Sequence, residues 1–387
     1  MTTRITIVSR IFAPEGSAAA GILLAWAKAF RDRGCDVTVV TTRPPRGMRA
    51  DDPDGVRMRR APVIRDRQQY IRGYLSYLSF DVPLAFRLLF GRRADLYVVE
   101  PPPTTLAVVR VIAAMRRTPY VVRAADLWSD AAQMVTGSRL VLGLLRRVEL
   151  WGMRGARHLF AAHDPLVARL RELGVTTPAT GIGFGADTDA FQYEGQAVPV
   201  NPLFVYPGSY SEWHGAGIFL EAFAALLPQH PTARLRYLGN GQERPALQAR
   251  AAELGIADSV AFDTPVPATD LSPILAGATA SLASLKPGQG YDYAFTTKVY
   301  SSLAAGCPVV FTGVGPTVDF LRGAAEHGAG VAVDYDPEAV RAELERAIAA
   351  PLPPEGRTRL SDWARTRHSL RAVADAVVAQ ALAIASR

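Results

Sequence analysis

At 387 residues, 49% of them apolar, the chain is long enough for two domains or one large α/β unit with a substantial core, which excludes a disordered protein. A net charge of +7 suits anionic partners such as nucleotides, phosphorylated substrates or an acidic membrane surface. No basic run with interleaved aromatics, no zinc-finger spacing and no helix-turn-helix pattern points to nucleic acid.

In chain order, the first half alternates strands and helices. Short β-branched runs start at Ile5 (ITIVS), Asp36 (DVTVVTT), Asp95 (DLYVVE), Pro119 (PYVVRA) and His158 (HLFAA). Between the first two lies AAAGILLAWAKAFRDRG, an amphipathic helix closed by Gly34, so the chain opens as a βαβ unit of a doubly wound parallel sheet. MTTRITIVSR runs straight into the first strand, so no signal peptide is expected. No apolar run is long enough to span a bilayer. Cys35 and Cys307 lie in apolar contexts and read as small buried residues of a reduced, cytoplasmic protein.

From Arg65, RDRQQYIRGYLSYLSFDVPLAFRLLFGRR alternates tyrosine, leucine and arginine at helical spacing. This helix either packs on the N-terminal sheet with its arginines solvated or lies on an anionic membrane over residues 65–93. Glu100, followed by three prolines, ends a strand on the side where ligands bind in such sheets. Asp126 reads as a helix N-cap after the strand at Pro119, Trp128 as core packing and His158 as core.

After GFGADTDAFQYEGQAVPVNP, which has no helical period and reads as a hinge, the pattern restarts. Strands are expected at LFVYPG, ARLRYLG, SVAFD, ASLAS and PVVFT, starting at Leu203, Ala233, Ser259, Ala280 and Pro308. Two such halves place a ligand cleft between two sheet edges. The segment from about Pro354 to Arg387 is helical and Ala-rich and is expected to pack back.

The densest chemistry lies in KPGQGYDYAFTTKVYSSLAAGCPVVFT, Lys286 to Thr312. Thr296 and Thr297 stand where a helix starts, and Lys298 follows, an arrangement that suits a phosphate on free N–H groups beside a cation. The alternative is a plain loop-helix-strand unit with a threonine cap. Lys28, Lys286 and Lys298 are the only lysines, and two of them flank this loop.

The order of these pieces resembles the GT-B glycosyltransferases, specifically the retaining family 4. FAPEGSAAAG, VVRAADLWSD, GADTDAF, YPGSYSEWHGAGIFLEAF, YLGNGQERPALQARAAELGIADSVAFDTPVP and KVYSSLAAGCPVVFTGVGP carry the likeness over nearly the whole chain. The DLW segment and the Lys-to-Gly ending look most like the subset that elongates bacterial surface polysaccharides. The resemblance implies two Rossmann-like doubly wound domains facing a central cleft: an acceptor-binding domain at 1–190, a nucleotide-sugar domain at 191–365, and a helix at 366–387 crossing back to the first.

The resemblance implies residue roles as well. Gly208 opens the first donor loop, Gly239 and Gly241 shape the next turn, and the backbone near Val266 faces the nucleobase. Phe295, Thr296 and Thr297 offer N–H groups to the diphosphate. In the acceptor half it implies close approach at Gly16 and a sugar contact at Asp126; Glu15, Glu100, Arg123 and Trp128 are candidate acceptor contacts, with Arg123 otherwise pairing with Asp126 or Asp130. The departures are as informative. The arginine and lysine usual in the first donor loop are Ser209 and His214, and the usual glutamate pair falls near Tyr293 and on Ser301. The expected asparagine before Gly185 is Phe184. Charge-assisted hydrogen bonds are worth roughly 1.5–3 kcal/mol each, so Lys298, Lys286 and a protonated His214 are candidate replacements.

The expected activity is transfer of a sugar from a nucleotide diphospho-sugar to a glycan, glycolipid or small-molecule hydroxyl, with retention and without metal or other cofactor. Epimerisation or hydrolysis of a nucleotide sugar, and a binding protein without activity, are the competing readings.

Overall fold

The computed structural model describes residues 2–15, 18–49, 52–66, 69, 71, 73–132, 138–196, 200–290 and 292–386. They form two compact units, 1–183 with 370–387, and 184–369.

The first unit runs β1 (Arg4–Val8), α1 (Ala18–Asp32), β2 (Asp36–Thr42), β3 (Val56–Ala61), α2 (Tyr74–Phe90), β4 (Leu96–Val99), α3 (Pro103–Arg116), β5 (Tyr120–Ala124), α4 (Trp128–Ala131), α5 (Arg139–Arg154), β6 (His158–Ala161), α6 (Asp164–Glu172) and β7 (Ala179–Gly181). Its seven strands are all parallel, in the order β3-β2-β1-β4-β5-β6-β7. Strands buried on both faces need continuous apolar runs, and LYVV and YVVRA are buried at every position. In α1, Leu23, Trp26, Ala27 and Phe30 recur at helical spacing and are all fully buried. The strand at β3 was not foreseen: VRMRRA pairs only with β2 at the sheet edge, so its arginines stay outside the core.

The second unit runs β8 (Leu203–Pro207), α7 (Ile218–Leu226), β9 (Arg234–Leu238), α8 (Arg244–Glu253), β10 (Val260–Asp263), α9 (Ala268–Ala276), β11 (Ala280–Leu285), α10 (Lys298–Ala304), β12 (Val309–Gly313), α11 (Pro316–Gly323), β13 (Gly330–Val333), α12 (Pro337–Ala349) and α13 (Pro354–His368). Its parallel strands are ordered β10-β9-β8-β11-β12-β13. One apolar cluster centres on Phe204, Tyr206, Phe219 and Tyr237; another centres on Val205, Phe311, Val299 and Leu360. In each sheet the strand order reverses once, between β1 and β4 and between β8 and β11. That is the position at which open α/β sheets bind ligands, outside the carboxyl ends.

The connection between the units is shorter than the hinge read from the sequence. Beyond Gly183 the chain already belongs to the second unit, because Ala186 and Phe191 are buried in its core and the Ala186 N–H donates to His368 O. The C-terminal segment is two helices, since Ser369 is extended (φ −77°, ψ 152°). Before it, Arg357 of α13 is fully buried and donates to the carbonyls of Ala276, Ala278 and Leu352. After it, α14 (Leu370–Ala385) packs on α1 in the first unit, and Gln380 meets His158 at 3.1 Å.

Candidate functional site

At the carboxyl edge of the first sheet the charges are already paired with one another. Glu100, ending β4, takes both of its bonds from Arg123 Nη1 in β5, at 2.7 and 2.8 Å, and both residues are buried. Arg123 therefore pairs with Glu100, not with Asp126 or Asp130. Glu15 accepts from both Arg65 nitrogens at 3.0 and 3.2 Å. Gly16 lies outside the described residues. Arg10 donates to Asp81 (2.9 Å) and Thr104 (2.6 Å), and its guanidinium lies 4.0 Å from the Tyr77 ring centre.

Asp126 is the exception. Its side chain is solvent-exposed and caps no helix, since the N-cap of α4 is Leu127 with no side-chain bond. The surrounding protein, helped by the Glu100 and Glu149 carboxylates and opposed by Arg123, pushes its carboxyl up to about 6. Contact with water limits that rise, so Asp126 is mostly ionised at neutral pH. Next to it Trp128 is 37% exposed, edge-on to Tyr77 with the ring centres 6.3 Å apart. What holds this turn is Glu149 of α5, fully buried, accepting from the N–H groups of Trp128 (2.7 Å) and Ser129 (3.0 Å). A helix glutamate 21 residues away carries no sequence signal for this role.

The edge of the second sheet is arranged differently. Lys298, first residue of α10, reaches back so that its ammonium lies 3.7 Å from the Tyr206 ring centre and 3.3 Å from Ser209 O. A ring face and one long carbonyl bond leave donors to spare. Burial pushes the ammonium down to about 7. Gly208 (φ +90°) turns the loop beneath it, and a Cβ there would sit 3.7 Å from Lys298 Cε. A Cβ at Gly239 would fall 1.9 Å from Gly208 O, and one at Gly241 1.8 Å from Tyr210 O, so the loops after β8 and β9 touch only because these positions are bare.

Several expected roles change here. Thr296 does not offer its N–H to a ligand: it is buried and donates to Thr317 Oγ1 at 3.0 Å. Thr297 is exposed at the N-cap of α10 and makes no side-chain cap bond. The Phe295 side chain is engaged with Tyr300 (4.8 Å) and Phe320 (5.3 Å). His214 is not a cation: its Nδ1 accepts from Ser211 N at 3.1 Å, and burial plus the Lys298 charge push it down to about 3. Lys286 donates its backbone N–H to Trp213 O and stands at the end of β11, beside the same loop. Ser301 is half-buried on α10, and Val266 packs against the core beside β10. Cys307 is buried, whereas Cys35 is only half-buried. Among the described residues no three His, Cys, Asp or Glu side chains converge as a metal site.

Residues 19–185 match the family model described as glycosyl transferase 4-like domain, and 201–350 match glycosyl transferases group 1. Together they account for most of the chain. The chain belongs to the GT-B glycosyltransferases.

Among solved GT-B structures, sucrose-phosphate synthase from Thermosynechococcus elongatus superposes with a TM-score of 0.73 at 16% identity, covering 99% of both chains. Anabaena HepE, solved in complex with UDP and glucose, gives 0.67 at 15% identity over 99% of this chain and 100% of that one. A curated relative, D-inositol 3-phosphate glycosyltransferase of Thermobispora bispora, is 31% identical over 160 residues. That match spans only 38% of this chain and 35% of the relative. Within this GT-B glycosyltransferase, the lysine of α10 occupies the loop where the family pattern leads one to expect two cations.

Proposed function

We propose that this protein transfers a sugar from a nucleotide diphospho-sugar to a hydroxyl of a glycan, a glycolipid or a small molecule, with retention of configuration and without a metal ion. The observation that carries this reading is the Lys298 ammonium in the Gly208–Ser209 loop, under-bonded and half-buried. A departing diphosphate needs a preorganised positive donor at its oxygens, and such a donor is strongest where water is partly excluded. An incoming diphosphate would restore the full charge of Lys298, which its surroundings have weakened. Lys286 flanks the same loop as a second cation. HepE binds UDP and glucose, which supports a uridine diphospho-sugar as the first donor to try.

In the first unit, ionised Asp126 accepts a hydrogen bond from a hydroxyl of the transferred sugar, and Trp128 offers a face to a sugar ring. No carboxylate pair is needed, because the leaving phosphate itself takes the acceptor's proton. The reading places the work at the inner face of a membrane or in the cytoplasm. The test is UDP release from a panel of uridine diphospho-sugars, with and without polysaccharide, glycolipid and phenolic acceptors, in the presence of EDTA. Acceptor-dependent release with a retained anomer by NMR is the expected result. Acceptor-independent release would identify a hydrolase, and loss of activity in EDTA would overturn the metal-free scheme.

A further inference from the structure

Helices α2, α3 and α5 pack side by side on the first sheet. Toward the sheet α2 buries Phe80, Leu84 and Leu88; away from it, Leu75, Leu78, Val82, Phe86 and Phe90 are 50–76% exposed. A helix apolar on all sides is ordinarily buried throughout or set into lipid. Its neighbours continue the surface, with Val111 and Met115 on α3, and Leu140 (87% exposed) and Leu144 (64%) on α5.

Charge on this face has one sign. The three helices carry seven arginines and two carboxylates, Asp81 and Glu149, both of them buried. Asp81 is bound to Arg10, and Glu149 to the Trp128 turn. Where α2 ends, Phe86 and Phe90 rim a cavity of about 420 Å³ lined by six arginines and a single carboxylate, Asp36. Asp36 is shared between Arg92 (3.1 Å) and Arg57 (3.5 Å), and Arg4 pairs with Asp95 (2.8 Å), which leaves Arg59, Arg87 and Arg93 without a carboxylate partner among the described residues.

We infer that this three-helix face docks on an anionic lipid bilayer. The apolar row of α2 lies in the interface, and the arginine-lined cavity beside Phe86 and Phe90 takes lipid phosphates. Apolar side chains interleaved with arginines satisfy both halves of an anionic interface, the acyl boundary and the headgroup layer. A protein partner of ordinary composition would bring acidic and basic groups alike, and this face has no exposed carboxylate on its helices to meet the basic ones. α2 spans roughly 25 Å, and at its first turns Tyr77 touches Trp128. A bilayer along this face therefore runs up to the exposed tryptophan of the first unit. The inference stands on this surface alone and does not depend on which sugar is transferred.

The test is co-sedimentation of the full chain with phosphatidylcholine vesicles with and without phosphatidylglycerol. Binding only to the anionic vesicles, weakened by salt, is expected. Leu78→Glu/Val82→Glu/Phe86→Glu should lower partitioning about tenfold or more, and Arg92→Glu/Arg93→Glu several-fold. Arg322→Glu, on an exposed arginine of the second unit, should leave it unchanged. The replaced side chains are exposed, so unchanged thermal midpoints and UDP affinity are expected to show intact folding. No binding to anionic vesicles, or equal binding by all variants, overturns the proposal. So does a wild-type dimer that the α2 variant turns into monomer without any vesicle binding, which would make the face a self-association surface.

Discussion

The two sheet edges solve opposite electrostatic problems. In the first unit nearly every charge at the carboxyl edge has its partner inside the same edge: Glu100 with Arg123, Glu15 with Arg65, Glu149 with two backbone N–H groups. In the second, Lys298 leans on a ring and one carbonyl. An edge whose charges are spent on each other offers shape and a few hydrogen bonds, which suits a neutral sugar hydroxyl. An edge with a spare cation suits an anion.

The contrast breaks most severely at the buried pair. Glu100→Ala would leave the Arg123 guanidinium buried without its carboxylate, which typically destabilises by about 3–5 kcal/mol. Thermal unfolding followed by circular dichroism should show the transition of the first unit shifted down while that of the second stays. Glu100→Leu/Arg123→Met should recover much of the loss, because removing both charges leaves neither stranded. A single variant as stable as the parent would mean that the pair is not buried as described.

A smaller effect is expected in the second unit, and on function instead of stability. Lys298→Ala removes one charge-assisted contact to the diphosphate, roughly 1.5–3 kcal/mol or about 10- to 150-fold in turnover per donor. Loss of UDP affinity by calorimetry should accompany it, with the thermal midpoint unchanged or raised. Unchanged affinity would remove Lys298 from the site. His214→Ala should weaken UDP binding only modestly, through the loop it caps, since its ring is neutral.

Much of the fold was legible, and for physical reasons. The interior strands announced themselves as β-branched runs because both of their faces are covered, and the helix closed by Gly34 followed its 3.6 period. β3, β7 and β13 escaped because each closes an edge or is three or four residues long, too short to show a period. The site was legible as a list of residues and not as an arrangement. Lys298 stood out by its rarity, but its place beside Ser209, 89 positions away in sequence, is a product of packing β8 against β11. Thr296 looked like a phosphate donor from its position before α10, and only the fold brings Thr317 up to take its N–H. Glu149 was invisible for the same reason.

The finest discrimination between the two edges is their response to pH. With its ammonium pushed to about 7, against about 10.4 in an unfolded chain, Lys298 leaves the folded state binding fewer protons across that interval. Its contribution to folding stability should therefore rise as pH climbs from 7 towards 10, the reverse of a lysine that gains a salt-bridge partner. UDP affinity should move the other way, falling above pH 7 as the unliganded ammonium loses its proton. Asp126 behaves oppositely: raised to about 6 from about 3.9, it holds an extra proton in the folded state between those values, so its stability contribution should fall as pH rises from 4 to 6. Lys298→Met should flatten the UDP-affinity profile above pH 7 and leave the acid limb intact. Asp126→Asn should change only the acid limb of the stability curve, and by a small amount, because its side chain is in water. Titration of UDP affinity and of the thermal midpoint across pH 4–10 for the three proteins would separate the two edges. If both variants altered the same limb, the two groups would be coupled, and the division into a self-paired edge and an under-bonded one would fail.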